Sequence, residues 1–294
     1  MGKDNRSLFF IAGLIVLLSG GVYFWLNSET RGTKGGTPAL LSSAEGNLPN
    51  NFVEVPVLTN KNTKTSNPSG RYTIDINYPE VALSGHPELA KEANDVIIAF
   101  TKDTTTKFTE NIKDMLSPSL SDEFSSDLTM RWTPLLVSPS IISIRFDYSE
   151  YVAGAAHPDN RTRMLNYDFE KHLLLSPISL FASSTQALPF LSTFSRNALR
   201  TQFGDSSEST LTDFVIPGTE PTHENFQEVG ITKTGLLVVF NPYQVAPYAR
   251  GTVEVPISLI EMSNASNTPA SLLLPDVLTA IQLSTTNFKE ATKE

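Results

Sequence analysis

The pattern of apolar and polar residues predicts seven short β-strands, and in residues 71–78 and 141–152 the two kinds of residue alternate with the period of two that strands show. The segments are residues 71–78, 128–137, 141–152, 161–169, 226–231, 235–241 and 251–257. Ser138-Pro139 separates the second segment from the third, and Asp159-Asn160 separates the third from the fourth. Because turn-forming residues this close to strand ends connect neighbouring strands, a largely antiparallel sheet is expected.

Two longer segments instead repeat apolar residues every three or four positions, as amphipathic helices do. The first begins near Pro87 and continues to Leu116, and the run Thr104-Thr105-Thr106 favours a kink or break within it. The second covers residues 186–203 and ends at Gly204, a residue type common at helix C-termini. Together the elements predict an α+β fold with two main helices.

A run of apolar residues near the start of the chain predicts a membrane anchor. Residues 8–26 contain no charged side chain, and at ~1.5 Å per residue their helix would span roughly 28 Å, enough for a bilayer's hydrocarbon layer. Lys3 and Arg6 precede the run, which favours a cytoplasmic tail at residues 1–7 and a C-terminal part outside the cytoplasm. A cleaved signal peptide is the alternative, although its apolar region is usually only ~7–15 residues long.

Composition divides the rest of the chain into three parts. Residues 27–70 are rich in Gly, Ser, Thr, Asn and Pro, which is typical of a flexible linker, although residues 52–57 alternate and could add an edge strand. Residues 71–262 hold the predicted elements and are expected to form the extracytoplasmic domain. Residues 263–294 form a C-terminal tail with a helical pattern at 272–283.

Charge and cysteine content remove several classes of function. The net charge is −9, and no cluster of Lys and Arg is present, so a nucleic-acid partner is not expected. The absence of Cys excludes disulfides and thiolate metal sites. Because the four histidines lack metal-binding spacing, neither a metal nor another cofactor is expected; they are His86, His157, His172 and His223.

One short fragment offers candidate catalytic residues. His157 and Asp159 flank Pro158, and Asp147 and Glu150 lie on the preceding predicted strand. A histidine with nearby carboxylates could support a wall-active hydrolase or a deacetylase-like enzyme. The commoner explanation is that His157 hydrogen-bonds a loop carbonyl and that the acids face solvent from their strands. We therefore prefer the non-enzymatic interpretation.

The loop at residues 243–251 is the best candidate for ligand binding. It carries two tyrosines, a glutamine and an arginine between prolines, and these residue types are favoured at binding hot spots and against sugar rings. The expected ligand-binding residues are Tyr243, Gln244, Tyr248, Arg250, Tyr151 and His157. The alternative is a structural corner, in which both rings cover the core and Gly251 permits a turn.

Three segments together resemble a known domain family. They are YVAGAAHP at 151–158, NYDF at 166–169 leading to LSPISLF at 175–181, and FNPYQVAPYARG at 240–251 followed by VEVPI. Their order and spacing resemble the RsiV-like/PdaC N-terminal-like extracytoplasmic domain family, a domain of unknown function. The resemblance covers about residues 71–262. The family commonly has Gly-Gly before Ala-His, whereas this chain has Gly154-Ala155, which reduces backbone freedom there.

The resemblance implies a binding role in the cell envelope. Anti-sigma members of the family recognise lysozyme outside the cell and hold a sigma factor with a cytoplasmic segment, and deacetylase members carry a separate catalytic domain. Only about seven residues precede the predicted anchor, so no sigma factor is expected, and no segment resembles the catalytic domain. The expected partners are the membrane and either a cell-wall component, such as peptidoglycan, or a wall-directed protein such as lysozyme.

Overall fold

The computed structural model describes residues 54–115, 125–204, 210–265 and 272–291. The predicted cytoplasmic tail at 1–7 and the predicted anchor at 8–26 lie outside the described residues. Within the described residues, no helix combines the length and the apolar composition that crossing a bilayer requires.

Six strands form the first sheet and lie in the order in which the chain enters them. They are β1 Val57–Asn67, β2 Tyr72–Ala82, β3 Ser126–Val137, β4 Ile141–Tyr151, β5 Asp159–Asp168 and β6 Leu173–Leu174. Neighbouring strands are antiparallel except β2 and β3, which are parallel because the helix α1 (Pro87–Met115) returns the chain between them. The sheet is therefore mixed.

The remaining strands form a separate antiparallel sheet of three. Its strands are β7 Val229–Thr232, β8 Gly235–Phe240 and β9 Val253–Ser258, and the helices that accompany them are α2 Ser184–Phe203, α3 Leu259–Ala265 and α4 Pro275–Ala291. A π-helical turn at Leu211–Val215, continued by Ile216–Gly218, precedes β7. The predicted α+β class is confirmed, but the strands divide into two sheets instead of one.

Each face of the first sheet contributes to a different hydrophobic cluster. On one face α1 buries Ile97 and Phe108 completely, together with Phe146 of β4. The other cluster joins the second sheet with α2 and α4 and includes Leu136 and Ile141 of the first sheet. Each fully buried side chain of this size contributes about 1.5–3 kcal/mol of transfer free energy, so both clusters are needed to stabilise the domain.

A buried polar bridge fixes the second sheet against the first. The Ser143 hydroxyl donates to Asn166 Oδ1 at 2.7 Å, and Asn166 Nδ2 donates to the Val229 carbonyl at 2.8 Å. The Ile231 amide donates to the Ser143 hydroxyl at 3.0 Å. Because buried polar groups are costly unless they are paired, this network sets where β7 crosses β4 and β5.

The structure corrects the predicted linker. Residues 57–67, inside the linker predicted at 27–70, form β1 and pair with β2 along its whole length, from Val57 opposite Ala82 to Asn67 opposite Tyr72. Polar side chains stay in contact with water on an exposed edge strand, and lysine is common there. A polar composition therefore does not distinguish such a strand from a linker. The folded domain therefore includes residues that precede position 71.

Two further predictions for helical regions are corrected. α1 continues without a break through Thr104-Thr105-Thr106, where the Thr104 and Thr105 hydroxyl groups donate to carbonyls of the preceding turn, as Thr104 does to Phe100 at 3.1 Å. The helix expected at 272–283 is present as α4, but its residues Val277, Ala280 and Ile281 are buried in the second cluster and so are part of the domain instead of a separate tail. The core therefore extends beyond residue 262.

Candidate functional site

Two loops that are distant in sequence bring three aromatic rings together at the surface. The β4–β5 loop supplies His157, and the β8–β9 loop supplies Tyr243 and Tyr248. The rings of His157 and Tyr248 stack with centroids 3.9 Å apart and planes inclined by 25°. Tyr243 lies 5.4 Å from Tyr248 and 6.5 Å from His157 between ring centroids. We call His157, Tyr243 and Tyr248 the aromatic cluster.

Hydrogen bonds to one carbonyl group hold the cluster in place. The Tyr248 hydroxyl donates to the Pro158 carbonyl at 2.6 Å and accepts from Asn160 Nδ2 at 3.0 Å. His157 Nδ1 lies 3.0 Å from the same carbonyl oxygen. Since a carbonyl can only accept, Nδ1 carries a proton, and in the neutral imidazole Nε2 is an acceptor. The Tyr243 hydroxyl lies 3.5 Å from that Nε2 atom.

The backbone of the β8–β9 loop presents Tyr243 to solvent. Tyr243 has a φ of 70°, the left-handed region that non-glycine residues adopt at a cost of about 1–2 kcal/mol. Its side chain is 58% exposed, although it is large and apolar. Gly251, with a φ of 70°, permits the turn into β9, as the structural-corner interpretation predicts. Strained backbone next to an exposed aromatic side chain is typical of binding sites.

The other predicted ligand-binding residues have contacts elsewhere. Gln244 Nε2 donates to the Asn225 carbonyl at 2.8 Å and to the Gly218 carbonyl at 3.3 Å, so it supports the loop from below. The Arg250 guanidinium lies 4.3 Å from the ring centroid of Phe203 on α2. Tyr151 ends β4, opposite Asp127 in the β3 register. The structure therefore brings together three of the six predicted residues.

The carboxylates considered for catalysis point to opposite faces of the first sheet. Asp147 and Glu150 are three residues apart in β4, and side chains along a strand alternate between faces. Glu150 accepts from Asn111 Nδ2 of α1 at 2.8 Å, whereas Asp147 binds Arg145, which also contacts Glu254 of the second sheet. These two carboxylates therefore cannot flank one substrate bond, as a glycosidase pair must.

The two remaining candidate catalytic groups are held by neighbours. Asp159 pairs with Arg161 Nε at 2.7 Å and lies opposite Glu150 across the strands. Burial raises the pKa of the Glu150 carboxyl, while the hydrogen bond from Asn111 lowers it. His157 makes the loop-carbonyl hydrogen bond that the non-enzymatic interpretation predicts. Within the described ranges, no three His, Asp or Glu side chains lie close enough to hold a metal ion.

Two polar residues near the cluster, Asn241 and Asn160, were not among the predicted site residues. Asn241 caps the outer edge of β5, because its Oδ1 accepts from the Thr162 amide at 2.7 Å and its Nδ2 donates to the Thr162 carbonyl at 3.1 Å. Asn160 donates to Tyr248, as described above. The sequence signal for Asn241 is an Asn-Pro pair directly after a strand, but its partner is 79 residues away.

A buried carboxylate makes a second contact with the outer edge of β5. Glu228, only 7% exposed, accepts from the Met164 amide at 2.7 Å and pairs with Arg163 Nε at 2.9 Å. Burial raises the pKa of the Glu228 carboxyl, and the Arg163 charge opposes that shift. Together with Asn241, this carboxylate fastens β5 to the segments that begin and end the β7–β8 hairpin.

Comparison with protein families agrees with the resemblance seen in the sequence. Residues 179–259 match the family described as "Protein of unknown function (DUF3298)". The matched range contains α2, the second sheet and the loop that carries Tyr243 and Tyr248. The expected relation to this domain family is therefore confirmed.

A curated relative and two solved structures extend the comparison. Over 105 residues the chain is 30% identical to the peptidoglycan-N-acetylmuramic acid deacetylase PdaC of Bacillus subtilis (strain 168), a match that covers 36% of this chain and 22% of the deacetylase. A DUF3298 family protein of Bacteroides fragilis NCTC 9343 is 18% identical with a TM-score of 0.58, covering 79% of this chain and 98% of that chain.

The other solved structure is a DUF3298 family protein of Pseudomonas aeruginosa PAO1. It is 11% identical with a TM-score of 0.52, covering 76% of this chain and 96% of that chain. At these identities the two structures show a shared fold. The matched segment spans about a fifth of the length of the deacetylase, so that enzyme's activity is not transferred by the match.

Proposed function

We propose that this chain, which carries a DUF3298 domain, is a binding protein of the cell envelope that recognises a cell-wall component. One transmembrane helix at residues 8–26 would hold the domain outside the cytoplasm. The observation that carries the proposal is the exposed aromatic cluster, in which three rings from two loops form one surface. The anchor rests on the apolar run in the sequence.

The chemistry of the cluster suits a sugar ring. Aromatic faces pack against apolar C–H surfaces, and the polar edges of Tyr and His can hydrogen-bond hydroxyl groups beside them. The Tyr248 hydroxyl is already held by Pro158 and Asn160, so its ring loses little freedom when a ligand binds. Pre-organisation of this kind favours binding.

The relation to the deacetylase supports peptidoglycan as the first ligand to test. The name of that relative describes an enzyme that acts on the N-acetylmuramic acid of peptidoglycan. In this chain the placement of Asp147 and Glu150 on opposite sheet faces favours binding over hydrolysis. The net charge of −9 favours a cationic wall-directed protein, such as lysozyme, as the second candidate partner.

Calorimetric titration of the purified full-length chain with solubilised peptidoglycan fragments tests the proposal. We expect saturable binding that falls at least tenfold, about 1.4 kcal/mol, in Tyr243→Ala. Ile260→Ala is the matched control, because Ile260 is also a large exposed side chain, at 72%, but lies on α3. Equal losses in both variants would contradict a role for the cluster.

A parallel titration with lysozyme distinguishes the two candidate partners. Binding to lysozyme without binding to peptidoglycan would replace the wall polymer by a wall-directed protein as the partner. Failure to bind either would overturn the proposed function and leave the fold and the family relation intact.

A further inference from the structure

The aromatic cluster continues into a row of polar side chains along β5. Asn160 Nδ2 donates to the Tyr248 hydroxyl at 3.0 Å, which joins the cluster to the start of this strand. Asn160 and Thr162 are two residues apart, so their side chains share one sheet face and lie roughly 7 Å from each other along the strand. Thr162 is only 1% exposed and its Oγ1 donates to Asp147 Oδ1 at 2.5 Å, so the row runs beneath the surface between Asn160 and Asp147.

One arginine connects this row to the second sheet. Arg145 Nε contacts both carboxylate oxygens of Asp147, at 2.9 and 2.8 Å, and its Nη1 contacts Glu254 of β9. The Asp147 and Glu254 side chains are each 44% exposed, whereas that of Arg145 is 19% exposed. The guanidinium therefore lies beneath the two carboxylates. We call Asn160, Thr162, Arg145, Asp147 and Glu254 the polar strip.

The polar strip offers a ligand more acceptors than donors. One guanidinium lies between two carboxylates, so the three charges sum to −1. The carboxylates are the exposed groups of the three. In the cluster, the Tyr248 hydroxyl already donates to Pro158, and Nε2 of the neutral His157 ring can only accept. A ligand that donates from hydroxyl or amide groups matches this surface, and a polyanion does not.

Building on the proposed function, we propose that the cluster and the strip form one elongated site for an uncharged oligosaccharide of at least two rings. One ring packs on the aromatic cluster. Hydroxyl or amide N–H groups of the next ring donate to the carboxylates of Asp147 and Glu254. Polymers that carry a negative charge on every sugar ring are rejected by the uncompensated charge of the strip.

The test compares three ligands on the full-length chain: N-acetylglucosamine, its β-linked tetrasaccharide and an oligogalacturonate of the same length. We expect the tetrasaccharide to bind more tightly than the monosaccharide and the polyanion to bind most weakly. In Glu254→Gln the affinity for the tetrasaccharide should fall about fivefold, because a charged acceptor is replaced by a neutral one, and that for the monosaccharide should not change.

Glu80→Gln is the matched control. Glu80 is 48% exposed and pairs with Lys61 at 2.9 Å, so it resembles Glu254 in exposure and pairing but lies on β2 of the first sheet. It should leave the affinity for all three sugars unchanged.

The outcomes separate this inference from the proposed function. If Tyr243→Ala abolishes tetrasaccharide binding while Glu254→Gln does not weaken it, the strip is not part of the site and the wall-binding function stands. If the oligogalacturonate binds as tightly as the tetrasaccharide, the selection for uncharged ligands is wrong. If the sugars, peptidoglycan and lysozyme all fail to bind, the proposed function itself is overturned.

Discussion

Replacing Gly218 by alanine should displace the backbone of the β8–β9 loop under the candidate site, without changing any aromatic ring. A methyl group at Gly218 would lie 2.0 Å from the Gln244 carbonyl oxygen and 2.8 Å from its carbonyl carbon. Real Cβ atoms essentially never approach other atoms closer than 3.0 Å, so one backbone segment must move by about 1 Å. Gln244 directly follows Tyr243, so this movement reaches the aromatic cluster.

The expected cost follows from two contributions. Forcing an extra methyl group into a packed region costs about 1–3 kcal/mol. Displacing Gln244 also weakens its side-chain hydrogen bonds to the Gly218 and Asn225 carbonyls, which adds about 1 kcal/mol. We therefore expect Gly218→Ala to lose about 2–4 kcal/mol of unfolding free energy and to weaken ligand binding as well.

Gly251→Ala is the matched control for this prediction. Gly251 has a φ of 70°, and nothing lies within 4 Å of an added methyl group, so only the backbone cost of about 1–2 kcal/mol applies. Urea unfolding of the full-length variants, followed by circular dichroism, measures both losses. If Gly218→Ala is less destabilising than Gly251→Ala, the loop is not braced against Gly218 and the reasoning is refuted.

The buried carboxylate of Glu228 and the partly buried carboxylate of Glu150 give further predictions. Glu228→Ala removes both the acceptor of the Met164 amide and the carboxylate beside Arg163, so we expect a loss of about 1–3 kcal/mol of unfolding free energy, and a loss under about 0.5 kcal/mol in urea unfolding would contradict this. Burial raises the pKa of Glu150 in the folded chain, so the stabilisation linked to its protonation is present below its unfolded pKa and disappears as the pH rises through its folded pKa. Glu150→Gln, which can still accept from Asn111, should therefore be more stable than wild type at about pH 7 and match it near pH 4. Urea unfolding at both pH values measures this difference, and a variant less stable than wild type at about pH 7 would contradict the prediction.

Local patterns in the sequence predicted most of the elements because those elements bury one regular face. The alternation in residues 141–152 matches β4, in which Ile142, Ile144 and Phe146 are buried on the α1 side. The helical spacing after Pro87 matches α1 for the same reason. The alternation of side chains along a strand also places Asp147 and Glu150 on opposite faces of the sheet.

β1 shows where local pattern fails. Its sequence is rich in Asn, Lys and Thr and buries little, so composition predicts a linker, yet each of its residues has a partner in β2. The hydrogen bonds of an edge strand depend on a neighbour from elsewhere in the chain, and no local period encodes that neighbour. The parallel pairing of β2 with β3 is likewise set by the path of α1.

The sequence by itself determined the α+β class, most strands and helices, and which residue types could bind a ligand. Only the tertiary structure decided that His157 stacks on Tyr248 while Gln244 and Arg250 take other partners. The β4–β5 and β8–β9 loops meet because Asn241 and Glu228 fasten the β7–β8 hairpin to the outer edge of β5. These contacts join residues 64 to 79 positions apart, and geometry over such separations depends on the packing of both sheets at once.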